Sequence, residues 1–256
     1  MPTVTVMSKS SPQLKVLSID IGGSHIKATV LDKDGALLVD YNKVETPQPA
    51  NPENVVNAIK KLAKPFAGFN RISVGFPGYV RDSIVKTAPN LDNAAWANFN
   101  LGKKLEEELG CPAVVVNDAD MQGLGVVAGK GLELVITLGT GFGTALLLDG
   151  KLLPHLEVGQ SPVTKTKSYD KYIGEKAFEQ EGKKKWNTRM KKVLKNLKTL
   201  FNYDYLYIGG GNSRELNFKL DKNIKTVTNQ DGIKGGARLW TAGSKPAPAK
   251  KSSSIK

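Results

Sequence analysis

The chain has 256 residues, 40% hydrophobic and 24% charged, which suits a folded protein with one large core or two modest ones. No apolar run approaches the roughly 18 residues needed to cross a bilayer, and residues 1–12 lack the charged-then-apolar order of an export signal. The single cysteine, Cys111, excludes an intramolecular disulfide framework and a cysteine-rich zinc site, so a cytoplasmic address is expected. The formal net charge of +13 is unevenly placed: residues 1–150 carry 14 basic and 15 acidic side chains, residues 151–256 carry 23 and 9. A field of one sign concentrates polyanions such as nucleic acid, acidic membrane or polyphosphate. The alternative is a solvated lysine-rich helix face with a basic tail.

Residues 1–13 and 241–256 read as disordered tails, too poor in apolar side chains to build a core. Residues 14–19 and 26–31 form strands around Gly22-Gly23, and Asp34-Gly35 turns the chain into a third strand at 37–41, a meander. A helix follows over 52–63, with Val55, Val56, Ile59 and Leu62 at helical spacing behind Pro52. A buried strand at 72–76 and an amphipathic helix at 99–109, stopped by Gly110, complete the first half.

The second half repeats the opening. A strand at 113–116 and a short helix at 120–128, for which Asp120 is the suitable N-cap, lead to strands at 134–138 and 144–148 across a glycine-rich turn. Asp149-Gly150 then turns into Leu152. The basic helix at 183–201 places Trp186, Met190, Val193, Leu194, Leu197, Leu200 and Phe201 on one face and lysines on the rest. A strand at 203–208 follows. The recurrence of strand, glycine turn, strand, Asp-Gly turn, strand near residues 20 and 140 points to an internal duplication. The expected fold class is α/β, of the actin-like ATPase (ribonuclease H-like) type, with two related domains flanking a cleft. The expected domains are 14–116 and 117–229, with a helix over 230–240 packing back on the first.

Three glycine turns carry the chemistry. Asp20-Ile21-Gly22-Gly23-Ser24 puts a carboxylate at a strand end, ahead of two glycines that let backbone amides approach an anion. Leu138-Gly139-Thr140-Gly141-Phe142-Gly143-Thr144 alternates glycines with hydroxyls, a cradle of donors for phosphate oxygens. A strand follows it rather than a helix, so it is not a dinucleotide fingerprint, and it lacks the Gly-Lys-Ser/Thr ending of a Walker loop. Ile208-Gly209-Gly210-Gly211 ends a strand and admits a flat ligand against the backbone. Phosphoryl transfer to an alcohol also needs a carboxylate to orient the hydroxyl and take its proton, a role suited to Asp118 at the domain junction. Asn90 and Glu157 suit vicinal hydroxyls, since amides and carboxylates each make paired hydrogen bonds in a plane.

In this order, Asp20-Ile-Gly-Gly-Ser, Gly75-Phe-Pro-Gly78, Asn117-Asp118-Ala-Asp120, Leu138-Gly-Thr-Gly-Phe-Gly143 and Ile208-Gly-Gly-Gly211, the chain resembles the ROK sugar kinases. Within that family it is most similar to the polyphosphate glucokinase-like branch. The resemblance spans about residues 14–240. It implies a hexose kinase, transferring a phosphoryl group from polyphosphate or ATP to the 6-hydroxyl of glucose, with Asp118 as general base and Asn117 on a neighbouring sugar hydroxyl. It implies donor phosphate contacts from Asp20, Gly22, Gly23, Ser24, Lys27, Gly139, Thr140, Gly141 and Gly143, and nucleotide contacts from Gly209, Gly210 and Gly211. Asp20 would position Mg²⁺, directly or through water. A homodimer is compatible with the family, although no self-complementary patch is legible.

The chain departs from its relatives in one stretch. ROK sugar kinases typically read Glu-x-Gly-His with a further acid soon after, whereas this chain reads Glu157-Val158-Gly159-Gln160-Ser161-Pro162. Gln160 can hydrogen-bond a sugar but carries no charge, which leaves the identity of the hexose open. His155, two residues before Glu157, reads as a bystander. The family's zinc motif is absent, so no zinc is expected, and with 19 residues ahead of Asp20 the helix-turn-helix of ROK repressors is not expected either. A weakly catalytic or non-catalytic sugar or polyanion binder is the alternative function. The basic helix suits a polyphosphate path by the counterion logic of DNA binding, and nucleic acid is the less favoured partner.

Overall fold

The computed structural model describes residues 13–228 and 232–241. The tails expected at 1–13 and 241–256 thus lie outside the described residues apart from Gln13 and Thr241, as do the first two residues of the helix expected at 230–240.

The first half runs β1 (Val16–Ile21), β2 (His25–Leu31), β3 (Asn42–Glu45), α1 (Pro52–Ala63) and β4 (Arg71–Phe76). Three two-residue strands follow, β5 (Val80–Arg81), β6 (Ile84–Val85) and β7 (Phe99–Asn100), with α2 (Asn93–Trp96) before the last; then α3 (Leu101–Leu109) and β8 (Ala113–Asn117). The second half comprises α4 (Asp118–Val126), β9 (Leu132–Leu138), β10 (Phe142–Leu148), β11 (Lys151–Leu152), α5 (Tyr169–Ile173) and α6 (Glu175–Phe201). It ends with β12 (Tyr205–Gly209), β13 (Ile224–Thr226) and α7 (Gly235–Thr241).

The duplication is visible in the sheets. One has the order β3-β2-β1-β4-β8 and the other β11-β10-β9-β12-β13. In each, three antiparallel strands are continued by two parallel ones. This is the actin-like α/β architecture, in which the first hairpin of each sheet faces a common cleft.

Strand alternation decides what each sheet covers. Leu17, Ile19 and Ile21 of β1 pack with Val55, Val56, Ile59 and Leu62 of α1 and with Leu101 and Leu105 of α3. Leu134, Ile136 and Leu138 of β9 meet Trp186, Met190, Val193 and Leu197 of α6, whereas Val135 joins Leu124 and Leu147 in a cluster with Leu239 of α7. The α1 boundaries match the sequence pattern, with Asn51 accepting from Asn54 N as N-cap and Pro52 at the first helical position.

Three expected elements move. The third strand forms at Asn42–Glu45, not at 37–41, because β2 pairs His25–Ala28 with that segment, while Leu37 makes only an isolated bridge to Leu31. Leu37, Leu38, Val39 and Tyr41 are left exposed on the connection. The helix expected from residue 99 starts at Leu101, where Asn100 caps Lys103 N at 2.9 Å. The basic helix lies within α6, which reaches back to Glu175; Gly182, at φ 72° and ψ 160°, breaks it into two segments.

Glu133 on β9 holds the end of α4. Its fully buried carboxylate accepts from Ala128 N and Gly129 N at 2.8 Å, Lys130 N at 3.1 Å and the Tyr207 hydroxyl at 2.9 Å. Removing it strands three donors and leaves Ala128 N with only the Tyr207 hydroxyl at 3.2 Å, so Glu133→Ala is expected to cost about 3 kcal/mol and Glu133→Gln less. Thermal unfolding checks this: a loss of roughly 6–12 °C is expected for the alanine variant.

Candidate active site

Each glycine turn is placed by a strand of its sheet. At the first, Gly22 N donates to His25 O at 2.9 Å and the Thr46 hydroxyl donates to Gly22 O at 2.6 Å, fixing the turn between β1 and β2. The second joins β9 to β10. A Cβ on Gly143 would lie 2.4 Å from Thr137 Oγ1 and 3.0 Å from Ala119 Cβ, so only glycine lets this turn approach the start of α4. The third follows β12. Gly210 has φ +84°, and a Cβ there would sit 2.2 Å from Leu138 O, so this loop presses directly on the second turn.

α4 begins at Asp118, and its N-cap is Asn117 rather than Asp120. The Asn117 Oδ1 accepts from Ala119 N at 2.8 Å and Asp120 N at 3.4 Å, while its Nδ2 donates to Gly78 O at 3.0 Å. Asp120 lies inside the first turn and Asp118 opens it, where the helix N-terminus favours a carboxylate. Asn117 is thus largely engaged by the protein itself, tying α4 to the Pro77-Gly78 turn of the first half.

The turns and the start of α4 enclose a cleft of about 320 Å³. Of the residues singled out in the sequence, Gly22, Gly23, Asn90, Asn117, Asp118, Gly139, Thr140, Gly141, Gly143, Glu157, Gln160, Gly210 and Gly211 line it. Asp20, Ser24, Lys27 and Gly209 do not. Lys27 is exposed while its β2 neighbours Ile26 and Ala28 are buried, so alternation turns it away from the core, opposite Asp20 in the β1–β2 register. Ser24 is exposed on the hairpin, where its carbonyl accepts from Thr46 N. Gly209 is still part of β12, one residue short of the cleft wall.

The electrostatics centre on Asp118. Burial, reinforced by the charge of Asp20, pushes its carboxyl up to about 7, against the opposing Ala119 N–H. Burial also raises Asp20, with Lys27 pulling the other way. The charge of Asp20, which makes Asp118 harder to ionise, would be offset by a divalent cation between Asp20 and phosphate. Mg²⁺ needs only one or two such ligands when waters and phosphates supply the rest.

Four residues in or beside the cleft were not foreseen. Asp170, on α5, accepts from Phe142 N at 2.6 Å and from Gln160 Nε2 at 2.6 Å, so it holds the second glycine turn. Gln160, expected at the sugar, therefore has its amide donor on Asp170. Gln122 and Thr137 also line the cleft. The His155 ring, expected to be a bystander, is almost fully buried, with Nδ1 3.0 Å from Asp120 Oδ2 and Nε2 3.3 Å from Glu157 Oε1. Burial alone would depress it, but the two carboxylates outweigh burial and push it up to about 10. A histidine two residues from a glutamate is a weak sequence signal; Asp120 and Asp170 carry none.

The fold and cleft define a sugar-kinase-like member of the actin-like class. The ROK family model matches residues 16–159, and the chain belongs to the ROK family. It is 33% identical over 256 residues to a polyphosphate glucokinase from Mycobacterium tuberculosis, covering 94% of this chain and 93% of that one. The inorganic polyphosphate/ATP-glucomannokinase of Arthrobacter sp. strain KM superposes with a TM-score of 0.79 at 33% identity, over 88% of this chain and 97% of that one. A ROK glucokinase from Streptomyces griseus, solved with glucose and AMPPNP, shares the fold with a TM-score of 0.72 at 23% identity, over 90% and 100% of the two chains.

Proposed function

We propose that this protein is a hexose kinase that transfers a terminal phosphoryl group from inorganic polyphosphate or ATP to the 6-hydroxyl of glucose. The observation that carries this reading is the position of Asp118, at the N-terminus of α4, in one cleft with all three glycine turns. The similarity to a polyphosphate glucokinase over nearly the whole chain supports the choice of acceptor and donors. No described helix is long and apolar enough to cross a membrane, and a single cysteine suits the cytoplasm, where we place the enzyme.

Ionised Asp118 orients the sugar hydroxyl and accepts its proton as the oxygen attacks the terminal phosphorus. The bond from that phosphorus to its bridging oxygen breaks, and the donor leaves as ADP or as a polyphosphate one unit shorter. The backbone N–H groups of Gly23 and Gly141 and the Thr140 hydroxyl face the donor phosphates, while those of Gly22 and Gly139 close their own turns, and Gly210 and Gly211 lie beside an adenosine. Asn90 and Glu157 hold the remaining sugar hydroxyls. A magnesium ion held at Asp20, directly or through water, would supply charge neutralisation on the phosphate oxygens.

The test is a coupled assay with glucose and either ATP or polyphosphate; no glucose 6-phosphate from either donor, in folded protein, overturns the reading. Sugar binding by calorimetry without turnover would instead favour the non-catalytic binder. Since the base works only when ionised, kcat/KM for glucose is expected to fall as pH drops through about 7. A profile flat from pH 8 to about 5 would remove Asp118 from this role.

A further inference from the structure

His155 lies at the meeting point of the two halves and outside the cleft lining. Its segment is pinned to β10, with Leu153 N donating to Leu146 O at 2.9 Å and the Thr144 hydroxyl donating to Leu156 O at 2.9 Å. The imidazole therefore cannot drift with a loop. One ring face stacks on Tyr79 of the first half, with centroids 6.0 Å apart and planes at 23°. One nitrogen faces Asp120 of α4 and the other Glu157. The Asp120 side chain is 4% exposed; its Oδ1 and His155 Nδ1 both lack a hydrogen-bond partner among the described residues, so the 3.0 Å approach of Nδ1 to Oδ2 is an ion-pair contact and not an aligned hydrogen bond. Buried acids are rarely left so unless a cation sits on them.

Glu157 differs from the other two. Its side chain is 41% exposed and lines the cleft, and its one contact of this kind is to His155. A free glutamate on a surface segment samples many rotamers, and ordering it for a ligand costs affinity. The imidazole, with Asp120 3.0 Å behind it, holds Oε1 of Glu157, and no hydrogen bond to Oε2 is found among the described residues. Gln160, the neighbour that might otherwise steer Glu157, is turned to Asp170.

We propose that His155 is a positioning residue for the acceptor: anchored on Asp120, it fixes the Glu157 carboxylate so that its free lone pairs meet two hydroxyls of the hexose. This rests on the reading of the cleft as a hexose site. Asp120, His155 and Glu157 then act as one unit, in which two acids share one buried cation and only the outer acid touches sugar. The groups facing the ring are Asp120 from α4, Glu157 from its own segment and Tyr79 from the β4–β5 turn; Arg81 and Asp82 line the same 540 Å³ cavity behind it.

The experiment is steady-state kinetics on the full chain with wild type, His155→Ala, His155→Gln, Glu157→Gln and the His155→Ala/Glu157→Gln pair, varying glucose and ATP separately. His155→Ala is expected to raise KM for glucose about tenfold, as the loss of one charge-assisted contact, with KM for ATP and kcat within about threefold of wild type. His155→Gln, which keeps a donor for Glu157 and preserves the packing if alanine does not fold, is expected to recover part of that loss. In the Glu157→Gln background the histidine substitution should add less than about twofold, because its target is already changed. Equal rises in both KM values, an unchanged glucose KM, or independent effects in the double variant each overturn the inference and make His155 a brace between halves. Failure of wild type to saturate with any hexose overturns the hexose reading as well, which separates the two failures.

Discussion

Asp118→Asn is expected to lower turnover by about 10³-fold and, at the same time, to raise thermal stability at neutral pH. The first effect follows from removing the proton acceptor while keeping the shape of the side chain. The second follows from the direction of the shift. Asp118 is raised from 3.8 to about 7 in the folded chain, so between those values the native state binds the proton that the unfolded state has lost. Stability contributed by this group therefore falls as pH rises from about 4 to 7, and above 7 the folded protein carries the full cost of an ionised acid beside Asp20. Asparagine has no such cost. Asp118 is partly exposed to the cleft, so water screens some of it, and a gain of about 1 kcal/mol is expected. That corresponds to roughly 2–4 °C in melting temperature for a chain of this size. The gap between variant and wild type should open with pH and close near pH 4. A variant that melts earlier than wild type at pH 7.5, or that keeps more than about a tenth of the activity, contradicts the assignment.

Gly235→Ala is expected to be among the most damaging single substitutions. α7 crosses between the halves, and its two leading glycines touch both. A Cβ on Gly235 would lie 1.8 Å from Met121 O and 2.8 Å from Gly125 N of α4, while one on Gly236 would lie 2.3 Å from Ser18 Oγ of β1. The helix is clamped by polar contacts: the Ser18 hydroxyl donates to Ile233 O at 3.1 Å, the Ser73 hydroxyl to Gly236 O at 2.7 Å and Trp240 Nε1 to Ser73 Oγ at 2.9 Å. Backbone on one side and a hydrogen-bonded serine on the other leave nowhere for the helix to shift. Alanine gains about 1 kcal/mol in helix propensity, but the clash exceeds ordinary overpacking and a net loss of about 2 kcal/mol or more is expected. Thermal melting reads it directly, as a fall of roughly 4–8 °C or more. Because α7 sets the spacing of α4 from β1, and hence Asp118 from Asp20, activity should fall further than stability alone predicts. A melting point within about 1 °C of wild type would mean that the crossing is looser than it looks.

Much of the site was legible because its chemistry is written in the backbone. Gly139, Gly141 and Gly143 stand out, since a turn that admits phosphate has no room for side chains, and Asp118 follows a strand at the junction where an acid would meet an alcohol. Those signals are local. The contacts missed are long-range: Asp170 reaches the second glycine turn from 28 residues away, and Asp120 reaches His155 from the far side of a hairpin. Lys27 shows a different limit: it shares the face of Asp20 across the β1–β2 pair, yet it is exposed and outside the cleft lining, which its position along the chain does not record.

The sequence alone determined the duplicated α/β architecture, the three glycine turns and the acid at the junction of the halves, because strand alternation, turn chemistry and helix periodicity are properties of short segments. Only the tertiary structure decided how charge is shared. Burial raised Asp118, Asn117 was drawn into capping α4, Gln160 was turned to Asp170, and His155 was enclosed between two acids. Desolvation and electrostatic coupling depend on what lies within a few ångströms in space, and no spacing along the chain records that distance.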